Sequence, residues 1–201
     1  MRKELTTDSS HRVSRRQCLS GGLGAATLGA ATLGATALGA ALLPIAARSA
    51  LARAVQVPAT QDDERLMRLA LAEAARGDYP FGAVITRNGK VLAKGRNLGK
   101  QRHDPTAHGE MVAIRAFLKA HGPERLKGTT LYTSGEPCCM CMGAIAWCGI
   151  GRLVFAASMD QLATKIEQIM VSSTQVADKT PFATIDITGG VLAAEAMALF
   201  K

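Results

Sequence analysis

Leu131-Tyr132-Thr133-Ser134-Gly135-Glu136-Pro137-Cys138-Cys139-Met140-Cys141-Met142-Gly143-Ala144-Ile145 changes character at its proline. Before Pro137, residues 129–133 are β-branched, aromatic or apolar and read as a strand. After it, an apolar run reads as a helix that Pro137 opens and that ends near Gly149. Outward from this strand-to-helix step the two periods keep alternating. Upstream, Thr60 and Asp63 form a capping-box start with acids at 62–64, and Leu66, Leu69, Ala70 and Ala74 line one helical face until Gly77. Residues 81–86 and 91–96 are apolar runs joined through Asn88-Gly89, a strong hairpin signal, so they pair antiparallel. Residues 107–120 carry helical apolar spacing and stop at Gly122-Pro123. Downstream come a strand at 153–156, a helix at 160–170, a strand at 184–187 and a closing helix at 191–200. The order α-β-β-α-β-α-β-α-β-α predicts an α/β domain with three α/β/α layers and a mixed five-stranded sheet: a hairpin at one side, later strands made parallel by crossover helices.

The same stretch carries the chemistry. Cys138 and Cys141 lie three apart just inside a helix, where i and i+3 share a face, so two thiolates reach one ion. Thirty residues earlier, where another helix starts, stand His108 and Glu110. One imidazole added to two thiolates makes three ligands, and three protein ligands leave a tetrahedral zinc one open position, the arrangement of a catalytic site. Glu110, two residues from the imidazole, is placed to shuttle protons. A thioredoxin-like redox pair is the competing reading of Cys138-x-x-Cys141, and it leaves His108 and Glu110 without a role. Cys139 and Cys148 read as small core or surface residues, with a disulfide to either left open.

HxE followed by PCxxC is the signature of zinc nucleobase deaminases. Residues 104–110 (Asp-Pro-Thr-Ala-His-Gly-Glu) and the stretch quoted above closely resemble the cytidine-deaminase-like superfamily, in the branch of guanine deaminase, fungal-type cytosine deaminase and tRNA adenosine deaminase. The resemblance runs from about residue 62 to the C-terminus. It implies His108, Cys138 and Cys141 as ligands of one zinc ion per chain and Glu110 as the catalytic proton carrier. It also implies that Asn97 hydrogen-bonds the substrate, that the backbone N–H of Ala107 holds the base carbonyl, and that the chain forms a homodimer. A flat heterocycle needs apolar surface on its faces, and Phe81 and Trp147 are the available aromatics. Glu167 and Gln168, in the segment least like the family, are candidates for choosing the base.

Of 201 residues, 48% are apolar and 20% charged, which excludes a disordered, collagen-like or coiled-coil chain. The net charge is +8, but residues 1–54 hold seven Lys/Arg against two Asp/Glu and the remainder carries only +3. Residues 1–54 read as an export signal: Arg15-Arg16 resembles the twin-arginine motif, residues 17–47 carry no charge, and Ala52-Arg53-Ala54 offers small-residue cleavage sites. Gly and Thr dilute the uncharged run, which argues against a retained membrane anchor. The expectation is therefore a deaminase domain over residues 55–201, carried by the Tat translocon to the periplasm and not membrane-associated after cleavage. Its expected partner is a small nucleobase or nucleoside, guanine- or cytosine-type. The modest charge and few aromatics of the mature chain argue against nucleic acid. The alternatives are a tRNA adenosine deaminase and, further off, a periplasmic CxxC thiol oxidoreductase.

Overall fold

The computed structural model describes residues 54–201, so the expected export signal lies, but for Ala54, outside the described residues. In chain order the elements are β1 (Ala54–Gln56), α1 (Gln61–Ala74), β2 (Gly82–Arg87), β3 (Lys90–Arg96), α2 (Gly99–Arg102), α3 (Gly109–His121) and β4 (Thr130–Gly135). Then follow α4 (Cys139–Trp147), β5 (Arg152–Ala157), α5 (Met159–Ala163), α6 (Ser173–Asp178), β6 (Ile185–Thr188) and α7 (Ala193–Met197). The sheet order is β1-β6-β5-β4-β2-β3. β2 pairs antiparallel with β3 and β4, while β4, β5, β6 and β1 run parallel to one another. The five expected strands thus form the mixed sheet, and the three-residue β1 adds a sixth at its edge.

Alternation along the strands builds the three layers. Ala83, Ile85, Leu131, Leu153 and Phe155 face one side, where Ala113, Ile114 and Phe117 of α3 and Met142 and Ile145 of α4 cover them. Val84, Tyr132, Val154 and Ala156 face the other, under Leu66, Met67 and Ala70 of α1 and Ala196 of α7. Successive side chains point to opposite faces, so each strand feeds both cores. The hairpin forms as expected: Asn88 and Gly89 have φ of 50° and 73°, the left-handed pair that a two-residue turn requires. Gly95 of β3 lets α3 lie directly on the sheet, because a Cβ there would sit 2.3 Å from the backbone N of Ala113.

A buried polar network ties α1 to the strands. Asp63, at the third position of α1, accepts from both Arg152 terminal nitrogens at 2.9 Å and from the Tyr132 hydroxyl at 2.8 Å. It also accepts from the Thr60 N–H at 2.7 Å, the back-reaching half of the capping box, and from the Thr60 hydroxyl at 2.9 Å. Arg152 reaches on to the Thr188 hydroxyl, which donates to the Val57 carbonyl.

The helix expected over residues 160–170 is a correction: α5 stops at Ala163 and residues 166–172 run without helix or strand to α6, which the sequence reading lacked. Thr164 turns its hydroxyl back onto the Gln161 carbonyl at 2.7 Å, and Ile169, Met170 and Val171 are exposed, so no buried face rewards continuing the helix. The closing helix spans five residues, Ala193–Met197, in place of the ten expected. Among the described residues no helix is long and apolar enough to cross a membrane.

Candidate active site

Two helix N-termini meet over the sheet. His108 is the N-cap of α3 and Cys138 the N-cap of α4, both in extended backbone conformation, with Cys141 in the first turn of α4. Gly95 brings α3 down onto β3, while Pro137 turns the chain from β4 into α4, so donors thirty residues apart in sequence arrive together. His108 Nδ1 lies 3.7 Å from Cys138 Sγ and 3.6 Å from Cys141 Sγ. All three donor atoms fall within 4.8 Å of one another. Tetrahedral zinc with N and S at ordinary bond lengths needs an N to S separation of about 3.6 Å, so the donor set fits the ion.

The electrostatics agree. The hydrogen bond from the Cys141 thiol pulls Cys138 down to about 4, against burial, and His108 helps. Its hydrogen bond to Cys138, together with burial, pushes the Cys141 thiol up. The hydrogen bond with Cys138 raises the His108 imidazole despite burial, and the charge of Glu110 adds to it. The sulfur pair therefore shares one proton that a cation would displace, and two helix N-termini favour the thiolates. Glu110, in the first turn of α3, is buried beside this cluster, and its Oε1 accepts from the Thr133 hydroxyl at 3.2 Å. Burial pushes its carboxyl up.

Above the cluster opens a cavity of about 500 Å³. His108, Glu110 and Cys138 form part of its lining, together with Asn97, Phe81 and residues 166–169. Asn97 is buried and its Oδ1 accepts from the Gly99 N–H at 3.1 Å; its Nδ2 has no protein partner among the described residues. The Phe81 ring stands edge-on to Phe200, with centroids 5.4 Å apart. Glu167 and Gln168 both line the cavity.

Two expected site residues do not reach it. The Ala107 N–H already donates to the Asp104 carbonyl at 3.0 Å, inside the turn that leads to His108, so it is not free for a base carbonyl. Trp147 ends α4, a helix whose first residues carry the sulfurs and whose nine residues lead away from them. It is 79% exposed and packs on Phe182 with centroids 4.5 Å apart, outside the cavity. Conversely, Tyr79, Lys100, His103 and Glu136 line the cavity without having been singled out. Of these, Glu136 had a signal, its place directly before Pro137-Cys138. Cys139 and Cys148 are free thiols, and so are Cys138 and Cys141.

Residues 60–157 match the family described as "Cytidine and deoxycytidylate deaminase zinc-binding region". A solved structure from a study of tRNA:A34 deaminases shares 32% identity and a TM-score of 0.59, covering 67% of this chain and 98% of the other. The chain belongs to this zinc-binding deaminase family. Among curated relatives, guanine deaminase of Bacillus subtilis is 47% identical over 78 residues, 39% of this chain and 50% of the relative. The tRNA-specific adenosine deaminase of Bacillus subtilis is 40% identical over 99 residues, 47% of this chain and 62% of the relative. The chain spans less than two thirds of the length of each of the first curated relatives it matches.

Proposed function

We propose that the protein is a zinc-dependent hydrolytic deaminase that converts an exocyclic amine of a small nucleobase or nucleoside, guanine- or cytosine-type, to a carbonyl and releases ammonia. The observation that carries this is the buried Glu110 beside His108, Cys138 and Cys141 at a cavity wide enough for a flat heterocycle. When bound, zinc supplies the Lewis acidity that makes water a nucleophile near neutral pH. Glu110 takes a proton from the water that adds to the ring carbon bearing the amine. It returns one proton to the ring nitrogen and carries a second to the departing ammonia, so that amine plus water gives carbonyl plus ammonia. Asn97, held by the Gly99 N–H, presents its amide to the ring or sugar, and Phe81 covers a ring face. Glu167 and Gln168, which also line the cavity, choose among bases.

The test is ammonia release from guanine, isoguanine, cytosine, adenine and their nucleosides, with and without a chelator. Release from at least one compound, abolished by chelation and restored by zinc, is the expected result. Release only from tRNA would favour the second reading, adenosine-to-inosine editing. That reading draws support from the likeness to tRNA-specific deaminases and from Tyr79, Lys100 and His103 at the cavity, an aromatic and two basic side chains suited to a nucleotide strand. A thiol oxidoreductase would lose activity on Cys138→Ser and ignore Glu110→Gln.

The proposal extends to assembly and location. Met140, Gly143 and Trp147 lie on one uncharged face of α4, and the exposed Trp147 and Phe182 continue it, which supports a homodimer. Export through the Tat translocon to the periplasm rests on Arg15-Arg16 and the uncharged run behind it. Size-exclusion chromatography with light scattering and fractionation of expressing cells test the two in turn.

A further inference from the structure

Three carboxyl side chains line the cavity, those of Glu110, Glu136 and Glu167, and they are not equivalent. Glu136 is buried and saturated. Its Oε2 accepts from the Met159 N–H at 2.8 Å, and its Oε1 accepts from the Ser173 N–H and the Ser173 hydroxyl, each at 2.8 Å. Met159 and Ser173 are the first residues of α5 and α6. Both helices open on the same device: Ser158 with Gln161, and Ser172 with Gln175, form capping boxes that satisfy the N-cap and third N–H groups. The first N–H of each helix lies outside that exchange and needs an acceptor of its own. One carboxylate supplies both.

The residues between these anchors form the cavity wall. Ile166, Glu167, Gln168 and Ile169 line it. Among the described residues, the N–H groups from Glu167 to Met170 make no backbone hydrogen bond, so the wall is held chiefly at its ends. At one end Leu162 is fully buried in the core, and at the other Ser173 is fully buried against Glu136. Glu136 itself continues β4 and directly precedes Pro137 and Cys138, so the wall is referenced to the turn that carries the sulfurs.

We infer that Glu136 is a positioning residue: by accepting the first N–H of α5 and of α6 it fixes the wall over residues 164–172 at a set distance from the His108, Cys138 and Cys141 cluster, and so sets which base the cavity admits. This rests on the deaminase reading for its effect on substrate, but not for its effect on the wall. A glutamine in its place keeps the shape and loses an acceptor, because its NH2 must then face one of the N–H donors. Ser173→Ala removes one of the three hydrogen bonds from a residue that does not line the cavity.

The test compares the zinc-loaded full chain with Glu136→Gln and Ser173→Ala by hydrogen–deuterium exchange resolved to peptides, by zinc content, and by kcat and KM on the base panel. Loss of a hydrogen bond to a charged acceptor predicts faster exchange in the segment 159–178 at its hydrogen-bonded amides, those of Met159 and Ser173 first, by about ten- to a hundredfold in Glu136→Gln and by a smaller factor in Ser173→Ala, with other peptides and zinc content retained. KM should rise more than kcat falls, and the ratio of kcat/KM between bases should narrow. Unchanged exchange in that segment for both variants, or a loss confined to kcat, would overturn the inference. Should Glu136→Gln not fold, Ser173→Ala carries the same readouts. If the wild-type protein releases ammonia from none of the bases, the deaminase reading fails while the exchange measurement still decides the role of Glu136 in holding the wall.

Discussion

Asp63→Asn tests how strongly α1 is bound to the sheet. The Asp63 carboxylate is fully buried and takes five hydrogen bonds, two of them from the Arg152 guanidinium at 2.9 Å. Burial alone would raise its pKa, but the hydrogen bonds from Arg152, the Thr60 N–H, Tyr132 and the Thr60 hydroxyl outweigh it and hold the group at about 2, against an ordinary 3.8. At 1.36 kcal/mol per unit, that difference makes the ionised form worth about 2.5 kcal/mol to the folded state. Asparagine loses the charge and turns an NH2 toward donors, leaving Arg152, whose side chain is only 21% exposed, without its counter-charge. Removing one partner of such a pair costs about 3–5 kcal/mol. For a domain of this size that is a fall in Tm of roughly 10 °C. The assay is thermal and urea unfolding of both proteins from pH 8 to pH 2. Because the folded pKa lies below the unfolded one, the stabilisation is complete above about pH 4 and disappears as pH falls through 3.8 toward 2. The gap between the two proteins should therefore be flat from pH 8 to 5 and close in acid. A variant within about 1 kcal/mol of the parent at pH 7, or a gap that persists undiminished at pH 2, would refute the reasoning.

Glu110→Gln should retain zinc by elemental analysis yet lose ammonia release by orders of magnitude, since only the proposed proton carrier is gone, whereas His108→Ala should lose the metal as well. Zinc affinity, measured by competition with a chelator, should rise at least about tenfold per pH unit between pH 6 and 8, because binding displaces the proton that the raised Cys141 thiol retains. Gly95→Ala places a Cβ 2.3 Å from the α3 backbone, so the helix must lift. Expected are a loss of more than about 2 kcal/mol in urea unfolding and weaker zinc binding, since α3 carries His108 and Glu110. Phe117→Ala, in the core under α3, should cost about 3–5 kcal/mol in the same assay.

The parts of the fold that were legible in the chain are those with local causes. Asn88-Gly89 demands left-handed backbone, Thr60 and Asp63 close a capping box within four residues, and Pro137 starts a helix; each was readable without tertiary knowledge. The donor cluster was legible for a related reason: imidazole and sulfur at helix starts have few uses in common, and metal binding is one. Long-range causes hid the rest. β1 is only three residues long and exists through its pairing with β6, some 130 residues away. The wall over residues 164–172 has an apolar pattern that suits a helix, yet no core lies beneath it, and its ends depend on the distant Glu136. Trp147 was expected to cover a ring face as one of the few aromatics, but the direction of α4 takes it away from the cavity.

The antiparallel pairing of β2 with β4 joins the half of the chain that carries the imidazole to the half that carries the sulfurs. In an unfolded chain His108 lies thirty residues from Cys138, so this set of three donors converges only when the fold brings them together. An ion gripped by all three therefore favours the folded chain over the unfolded one, and stripping it should lower the free energy of unfolding.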